Sequence, residues 1–190
     1  SKKERFQKFV NKLAHFILLA MPILWVVFCG NDLLRKIFVS LGINTMGRLE
    51  GTGAWNIARE YYEVSPTYIG KGSGWVINWL EYANIPEFSN LHNDVLTAYM
   101  ELGFWGFLMW LIAFQYILYK IKKVKGVHCA NIVALLMGFM FINLLTDNIY
   151  LYVTFLVPFY IVLLDVIFGQ NEYKKKARNS GGVVLPNVIK

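Results

Sequence analysis

Charged residues and cysteines are scarce in this chain, and each shortage narrows the class of protein. Only 16% of its 190 residues are charged and 56% are hydrophobic, whereas average soluble domains have roughly 45–50% apolar residues. This composition indicates a polytopic membrane protein. The two cysteines, Cys29 and Cys129, fall at opposite faces of the bilayer in the topology given below, so we expect no disulfide between them.

Common metal and nucleotide motifs are also lacking. No Cys/His spacing in the sequence matches a zinc site, and we predict no metal and no cofactor. The glycine run Gly70–Gly74 (GKGSG) lacks the GxxxxGKS/T spacing of a phosphate-binding P-loop. This run is therefore a turn or a site of another kind, and both interpretations stay open here.

Four apolar runs are present that, with their flanks, can cross a hydrocarbon core about 30 Å thick. We predict an all-α polytopic fold with spanning helices over residues 13–30, 104–119, 130–145 and 150–168. Pro22 is expected to kink the first of these helices. The connecting segments are a basic segment 1–12, a large loop 31–103 with short helices, a basic turn 120–129, a short turn 146–149 and a tail 169–190.

Lysine and arginine are unevenly distributed along the chain. Of the 19 basic residues, five precede the first span, four lie between the second and third, five follow the fourth, and five fall in the much longer loop 31–103. Since cytoplasmic segments are enriched in lysine and arginine, both termini are predicted to be cytoplasmic and the loop to face outward. The net charge of +7 then reports topology and attraction to anionic lipid, and we predict no nucleic-acid partner.

Two short helices are expected in the outer loop. Residues 31–44 (NDLLRKIFVSLGIN) form an amphipathic stretch suited to the membrane interface. Trp55, Ala58 and Tyr62 recur at helical spacing, and Pro66 ends that helix. The loop aromatics are explained by an interfacial belt, or some of them by stacking on sugar rings, and the sequence leaves both alternatives open.

The polar cluster His92-Asn93-Asp94 precedes the second span. Asn and Asp are good N-caps, and a helix N-terminus presents free N–H groups and partial positive charge. Such an end suits a phosphate or carboxylate, and it favours a neutral His92 imidazole that can accept a proton. The alternative is an N-cap with no further role.

Glu101 is a lone acid on an otherwise apolar helix. With Asn93 and Thr97 it forms a polar stripe at i+4 spacing. It lies near the hydrocarbon boundary, where an unpaired charge is costly, so we expect a cationic partner, with Arg48 or Arg59 as the candidates. Asp147 and Asn148 lie on the same outer side and are either contributors to a site or parts of a plain turn.

The order of these features resembles a known family. Gly47-Arg48, a tryptophan, a Ser-Pro pair, the glycine run and HN followed by ELGxxG precede a spanning helix. Written as GR…W…SPTYIGKGSGW…LHNDVLTAYMELGFWGF, this pattern resembles the O-antigen ligase and Wzy-type polysaccharide polymerase family over about residues 40–168. HN…ELGxxG is its most specific part.

The resemblance implies a multi-pass glycosyltransferase of the helical GT-C type in the bacterial cytoplasmic (inner) membrane. Such a protein passes a glycan from an undecaprenyl-pyrophosphate carrier to an acceptor glycan on the outer face. It implies that His92 is the base and that Arg48 engages the donor phosphates. We add Glu101 as a second candidate catalytic residue. Further candidates for substrate binding are Arg59, Lys71, Gly72, Gly74 and Asn93.

Alternatives remain for the function. Polymerase is favoured over ligase, and other polysaccharide-assembly membrane proteins are candidate partners. A lipid-linked glycan transporter or flippase component without catalysis is the main rival, and it would show broken helices and intramembrane charged pairs. A third hypothesis for the function is a membrane anchor with a binding ectodomain. Because the family has more spans and this sequence has no initiator Met, we interpret it as the C-terminal part of a larger protein.

Overall fold

The computed structural model describes residues 2–43, 47–82, 91–147 and 153–165, and this part of the chain is helical, with turns and no strand. It contains seven α-helices and one 3₁₀ turn. These are α1 Lys2–Gly30, α2 Leu33–Ser40, α3 Ala54–Ala58, the 3₁₀ turn Arg59–Tyr61, α4 Trp75–Tyr82, α5 Asp94–Lys125, α6 Val127–Leu144 and α7 Val153–Leu164.

Helices α1, α5 and α6 pack against one another and form the body of the fold. Within the described residues they are the three helices long and apolar enough to cross a membrane, in agreement with the first three predicted spans. α1 continues through Pro22. The fourth predicted span, 150–168, lies partly outside the described residues, and its described helix, α7, has 12 residues.

The helices extend well past the apolar runs. α1 begins at Lys2, and α5 continues to Lys125, so the basic segments predicted as flanks and as a turn are largely helical. Gly126, with φ 90°, separates α5 from α6. Hydropathy marks the part of a helix suited to lipid, whereas lysine and arginine are good helix formers that continue it into water. The predicted bounds at 13, 119 and 129 are limits of membrane spans, so they stay predictions, and the helices continue beyond them.

The two ends of the bundle differ in chemistry. At the basic end, Asn131 Nδ2 donates to the Gln7 carbonyl at 3.1 Å. At the other end, Trp25 Nε1 donates to Asn93 Oδ1 at 3.3 Å. The loop helices α2, α3 and α4 follow this second end of α1 in the chain, and the orientation of the two ends in a membrane stays a prediction.

Helix α5 is broken at Gly103, whose φ of 71° and ψ of −177° are not helical. Residues 94–102 and 104–125 are therefore two helical segments. The break frees backbone groups, and the loop 31–103 supplies their partners. Lys71 N–H donates to Met100 O at 2.9 Å, and Phe104 N–H donates to Tyr68 O at 2.9 Å. The loop therefore satisfies the polar groups of the break, as a non-helical segment near lipid requires.

The break is possible because two glycines meet there. A Cβ on Gly103 would come within 2.3 Å of Ile69 C, and one on Gly70 would come within 2.5 Å of Gly103 N. Both glycines have positive φ values. Only glycine allows this backbone-to-backbone approach, so the glycine run is fixed against the start of the second span.

The amphipathic stretch forms α2, and the periodic loop segment forms α3 and the 3₁₀ turn, which confirms both expected helices. Asp32 joins them at the corner between α1 and α2. Its Oδ1 lies 2.7 Å from Arg59 Nη1 and 3.1 Å from Arg35 Nε. This pairing anchors the 3₁₀ turn to the end of α1.

Candidate functional site at His92

His92 lies in a left-handed backbone conformation, with φ 51°, immediately before α5. Its Nδ1 lies 3.0 Å from Asp147 Oδ1, and their side chains are 28% and 43% exposed. The Asp94 N–H also donates to the Asp147 carbonyl at 3.4 Å. Non-glycine residues in this conformation cost of order 1–3 kcal/mol and occur disproportionately at functional sites.

Asn93 holds this end of α5 in place. Its Oδ1 accepts from Leu96 N–H at 3.0 Å and from Trp25 Nε1, and its Nδ2 points to Cys29 Sγ at 4.0 Å. The predicted N-cap is therefore confirmed. Because Asn93 is fully buried, this geometry favours a role in positioning His92 over the predicted contact with substrate.

Trp55, in the loop, also helps to hold the chain in place next to His92. Its Nε1 donates to the Leu91 carbonyl at 2.6 Å, and its ring meets that of Trp25 edge to face at 5.9 Å. Trp55 thereby fixes the residue before His92, and Trp25 fixes the residue after it. A buried indole N–H normally requires such a partner.

Arg48 reaches the turn after α6. Its Nη1 donates to the Thr146 carbonyl at 2.9 Å, and its guanidinium carbon lies 5.5 Å from the centre of the Trp55 ring. A Cβ on Gly53 would come within 2.0 Å of Gly47 O, so the loop around Arg48 closes tightly only with glycine there. Arg48 and His92 thus contact the same turn, at Thr146 and Asp147, and we call Arg48, His92 and Asp147 the His92 site.

The His92 site combines a base, an orienting acid and a cation. When Nδ1–H donates to Asp147, Nε2 is left as the proton acceptor. A carboxylate on the opposite ring nitrogen also stabilises the imidazolium that forms after proton transfer. The Arg48 guanidinium, which contacts the same turn as His92, can bind an oxyanion. This set can deprotonate a hydroxyl group and hold a phosphate.

The contact of Asp147 with His92 was not predicted from the sequence, which left Asp147 as either a contributor to a site or part of a plain turn. Its short turn offered only one signal, which was that the predicted topology placed residues 146–149 on the same side as the outer loop. The contact with His92 depends on how α6 packs against α5, and no local pattern encodes that packing. Asn148, weighed with it, lies outside the described residues.

The other predicted site residues lie elsewhere. Arg59 pairs with Asp32. Lys71 Nζ lies 5.8 Å from the centre of the Trp75 ring, while Gly72 and Gly74 are close by in the chain and have open space where a Cβ would stand. The structure thus brings Arg48 to the turn that carries Asp147, the partner of His92, and it leaves Arg59 and the glycine run in separate surroundings.

Glu101 does not pair with either arginine, so the expected cationic partner is wrong. Its Oε1 accepts from the Val76 N–H at 3.1 Å, which stabilises the first turn of α4. Glu101 lies near the end of the helical segment 94–102, about 10 Å from the start of that segment at 1.5 Å per residue, and His92 lies just before that start. The two candidate catalytic residues therefore lie near opposite ends of this segment, and the catalytic prediction for Glu101 is left for experiment.

Comparisons with protein-family models, with curated proteins and with solved structures found no match for this chain.

Proposed function

We propose that the protein is a GT-C-type glycosyltransferase of the bacterial cytoplasmic membrane that extends a surface polysaccharide from a polyprenyl-pyrophosphate-linked glycan. Polymerase is favoured over ligase, as the sequence suggested. In this proposal both termini are cytoplasmic, and the His92 site lies at the outer face. The observation that carries the proposal is the contact of His92 with Asp147 beside the Arg48 guanidinium.

The proposed step is a direct displacement at the anomeric carbon of the donor sugar. The acceptor hydroxyl oxygen attacks that carbon while the bond to the pyrophosphate oxygen breaks. The pyrophosphate leaves with the electron pair, and the hydroxyl proton passes to His92 Nε2. Asp147 orients the imidazole through Nδ1, and Arg48 stabilises the charge that develops on the leaving group.

The rate enhancements expected from these residues are large enough for glycosyl transfer. A positioned general base contributes typically about 10²–10⁴-fold. A fixed donor at a developing oxyanion contributes roughly another 10²–10³-fold. Arginine suits the pyrophosphate because its planar fork makes two parallel charge-assisted hydrogen bonds. His92 and Asp147 lie next to the ends of α5 and α6, and Arg48 lies in a loop that closes tightly at Gly53, so all three groups are held in place.

The experiment compares surface polysaccharide on gels from cells lacking the native gene and supplied with wild type, His92→Ala or His128→Ala. His128 is exposed at the start of α6 and serves as the matched control. Loss of long polymer in His92→Ala alone, with single lipid-linked repeat units accumulating, is the expected result. Lipid-linked long chains would instead indicate a ligase. An unchanged profile at matched expression would overturn the proposal.

One observation favours the transporter alternative. The break in α5 at Gly103 is a discontinuous helix, which transporters use near their binding sites. Here, however, the carbonyls of the break already accept from the outer loop, so they are not held open for an ion or substrate. Accumulation of lipid-linked repeat units on the cytoplasmic face in the same cells would support this alternative.

A further inference from the structure

We propose that a depression between the 3₁₀ turn and the glycine run binds a sugar ring of the glycan chain, remote from the bond that is formed. We call it the Tyr61 depression. The inference rests on the proposed function for the identity of its ligand, a saccharide. It assigns a second subsite, separate from the His92 site.

The Tyr61 depression is open to solvent and has a volume of about 270 Å³. This is slightly below the roughly 300–1,000 Å³ of pockets for drug-sized ligands, so it suits one or two sugar rings. Its walls combine phenol rings, carboxylates and one ammonium group. They are formed by Glu60, Tyr61, Tyr62, Glu63, Tyr68 and Lys71.

An aromatic platform forms one side of the depression. The Tyr61 ring lies 5.6 Å from Trp75 and 5.0 Å from Trp79, and the two indoles stack in parallel at 5.6 Å with an interplanar angle of 3°. Trp79 is buried, whereas Tyr61 and Trp75 are partly exposed. A rigid ring backed by two indoles offers an apolar face for the C–H side of a sugar at little entropic cost.

Polar groups surround this face as a sugar requires. Glu60 and Glu63 are exposed, and their carboxylates can accept hydrogen bonds from sugar hydroxyl groups. Tyr99 Oη donates to the Glu63 carbonyl at 2.9 Å, which fixes the backbone beside one of these acids. Acceptor groups next to an aromatic face suit hydroxyl-rich ligands better than phosphates, which two carboxylates would repel.

The floor of the depression is held rigid by tyrosines. Tyr68 Oη donates to the Met100 carbonyl at 2.8 Å, and its ring stacks on Tyr99 at 5.5 Å. Burial, with the nearby Tyr99 and Glu63, raises the pKa of Tyr68 to about 12, so this phenol stays a hydrogen-bond donor at physiological pH. Burial likewise raises the pKa of Tyr62.

The position of the depression explains its role. Lys71 N–H donates to Met100 O, so the depression lies at the Glu101 end of the segment 94–102. That end is about 10 Å by helical rise from the start of α5, which His92 precedes. A sugar bound there is part of the same oligosaccharide but not the reacting residue. The subsite would therefore hold the chain rather than perform chemistry.

The test measures binding without turnover. The probe is an oligosaccharide of several repeat units, released by mild acid from the polysaccharide of the native host, titrated into the whole protein in lipid nanodiscs. Trp75→Ala and Glu63→Gln are expected to weaken binding roughly tenfold. Trp75→Phe, which keeps a ring, is expected to bind within about threefold of wild type. Tyr82→Ala, on α4 but 88% exposed, is the matched control.

Steady-state transfer assays then distinguish the two sources of the sugar. A raised KM for the acceptor alone in Glu63→Gln assigns the depression to the acceptor chain, and a raised KM for the lipid-linked donor alone assigns it to the donor glycan. Either result supports the subsite. Unchanged binding in both Trp75→Ala and Glu63→Gln would overturn it.

The subsite and the proposed function can fail independently. If His92→Ala keeps full transfer while Trp75→Ala loses saccharide binding, the catalytic proposal fails and the subsite stands. If His92→Ala abolishes transfer while Trp75→Ala and Glu63→Gln bind the oligosaccharide normally, the subsite fails and the catalytic proposal stands.

Discussion

The two ends of the helical segment 94–102 each carry polar residues that suggest a site, but these residues make different contacts in the structure. At its start, Asn93 and Trp25 take up the structural hydrogen bonds, which leaves His92 and Arg48 directed at a partly exposed turn. At its end, Glu101 caps α4, and the carbonyls of the break accept from the loop. A polar side chain is available for chemistry only where neighbouring residues make the hydrogen bonds that hold the fold together.

The largest effect is expected from Gly103→Ala. The new Cβ would lie within 2.3 Å of Ile69 C at a positive φ, so the break and the loop cannot both keep their positions. We expect no monodisperse folded protein by fluorescence-detected size exclusion. Gly138→Ala on α6 meets only Leu18 Cδ2 at 3.9 Å and is expected to behave as wild type.

A third variant separates steric clash from backbone strain. Gly72 also has a positive φ but open space around a Cβ, so Gly72→Ala should cost only about 1–2 kcal/mol and stay folded. If Gly103→Ala elutes like wild type, the account of the break is wrong.

Arg48→Lys is expected to lower kcat by roughly 10²–10³-fold. Lysine keeps the charge but loses the planar fork that binds both the Thr146 carbonyl and an oxyanion. Transfer of a radiolabelled repeat unit in membrane vesicles measures this effect. Arg35→Lys is the control, since Arg35 pairs with Asp32 away from the His92 site. Equal rates for the two variants would remove Arg48 from the mechanism.

Asp147→Asn is expected to lower kcat about tenfold to hundredfold with little change in KM. The loss stays below the roughly 10⁴-fold seen for a buried triad aspartate because the Asp147 side chain is 43% exposed. Asp147→Glu should restore part of the rate, since it keeps a carboxylate within reach of Nδ1. Glu50→Gln, at an exposed loop position, is the control. A change in KM alone, without rescue, would mean that Asp147 only shapes the turn.

Glu101→Gln is expected to have the smallest effect, with kcat within about threefold of wild type. The amide oxygen still accepts from Val76 N–H, so α4 keeps its cap. Glu101→Ala removes that bond and should destabilise the fold by about 1 kcal/mol, measured by thermal unfolding in detergent. A loss of more than about a hundredfold in the glutamine variant would restore Glu101 as a catalytic residue.

The sequence predicted the elements that depend on local pattern. Hydropathy located α1, α5 and α6, helical spacing located α3, and the preference of asparagine for helix starts located the cap at Asn93. It could not place helix bounds in water, because lysine-rich ends continue a helix without an apolar signal. The ELGxxG motif includes Gly103, but the motif did not predict the break in α5. The positive φ at Gly103 depends on the close approach of Gly70, which is distant in sequence.

Local motifs in the sequence supplied candidate residues for the site, and the partners that packing brings to them were missed. His92 and Arg48 were identified from their motifs. The contact with Asp147, 55 positions away in the chain, and the pairing of Arg59 with Asp32 arise from the arrangement of α1, α5 and α6. Long-range partners of this kind are fixed by helix packing, so a single sequence supplies candidates without supplying the pairs.

The measurement that tests the central claim most directly is the single-turnover rate of His92→Ala in lipid vesicles, with a polyprenyl-pyrophosphate oligosaccharide as donor. Donor affinity is measured in parallel, and His128→Ala serves as the control. The account predicts a rate about 10²–10⁴-fold below wild type with donor affinity within a few-fold. A wild-type rate in this variant would contradict it, and would leave His92 as a strained helix start with no part in transfer.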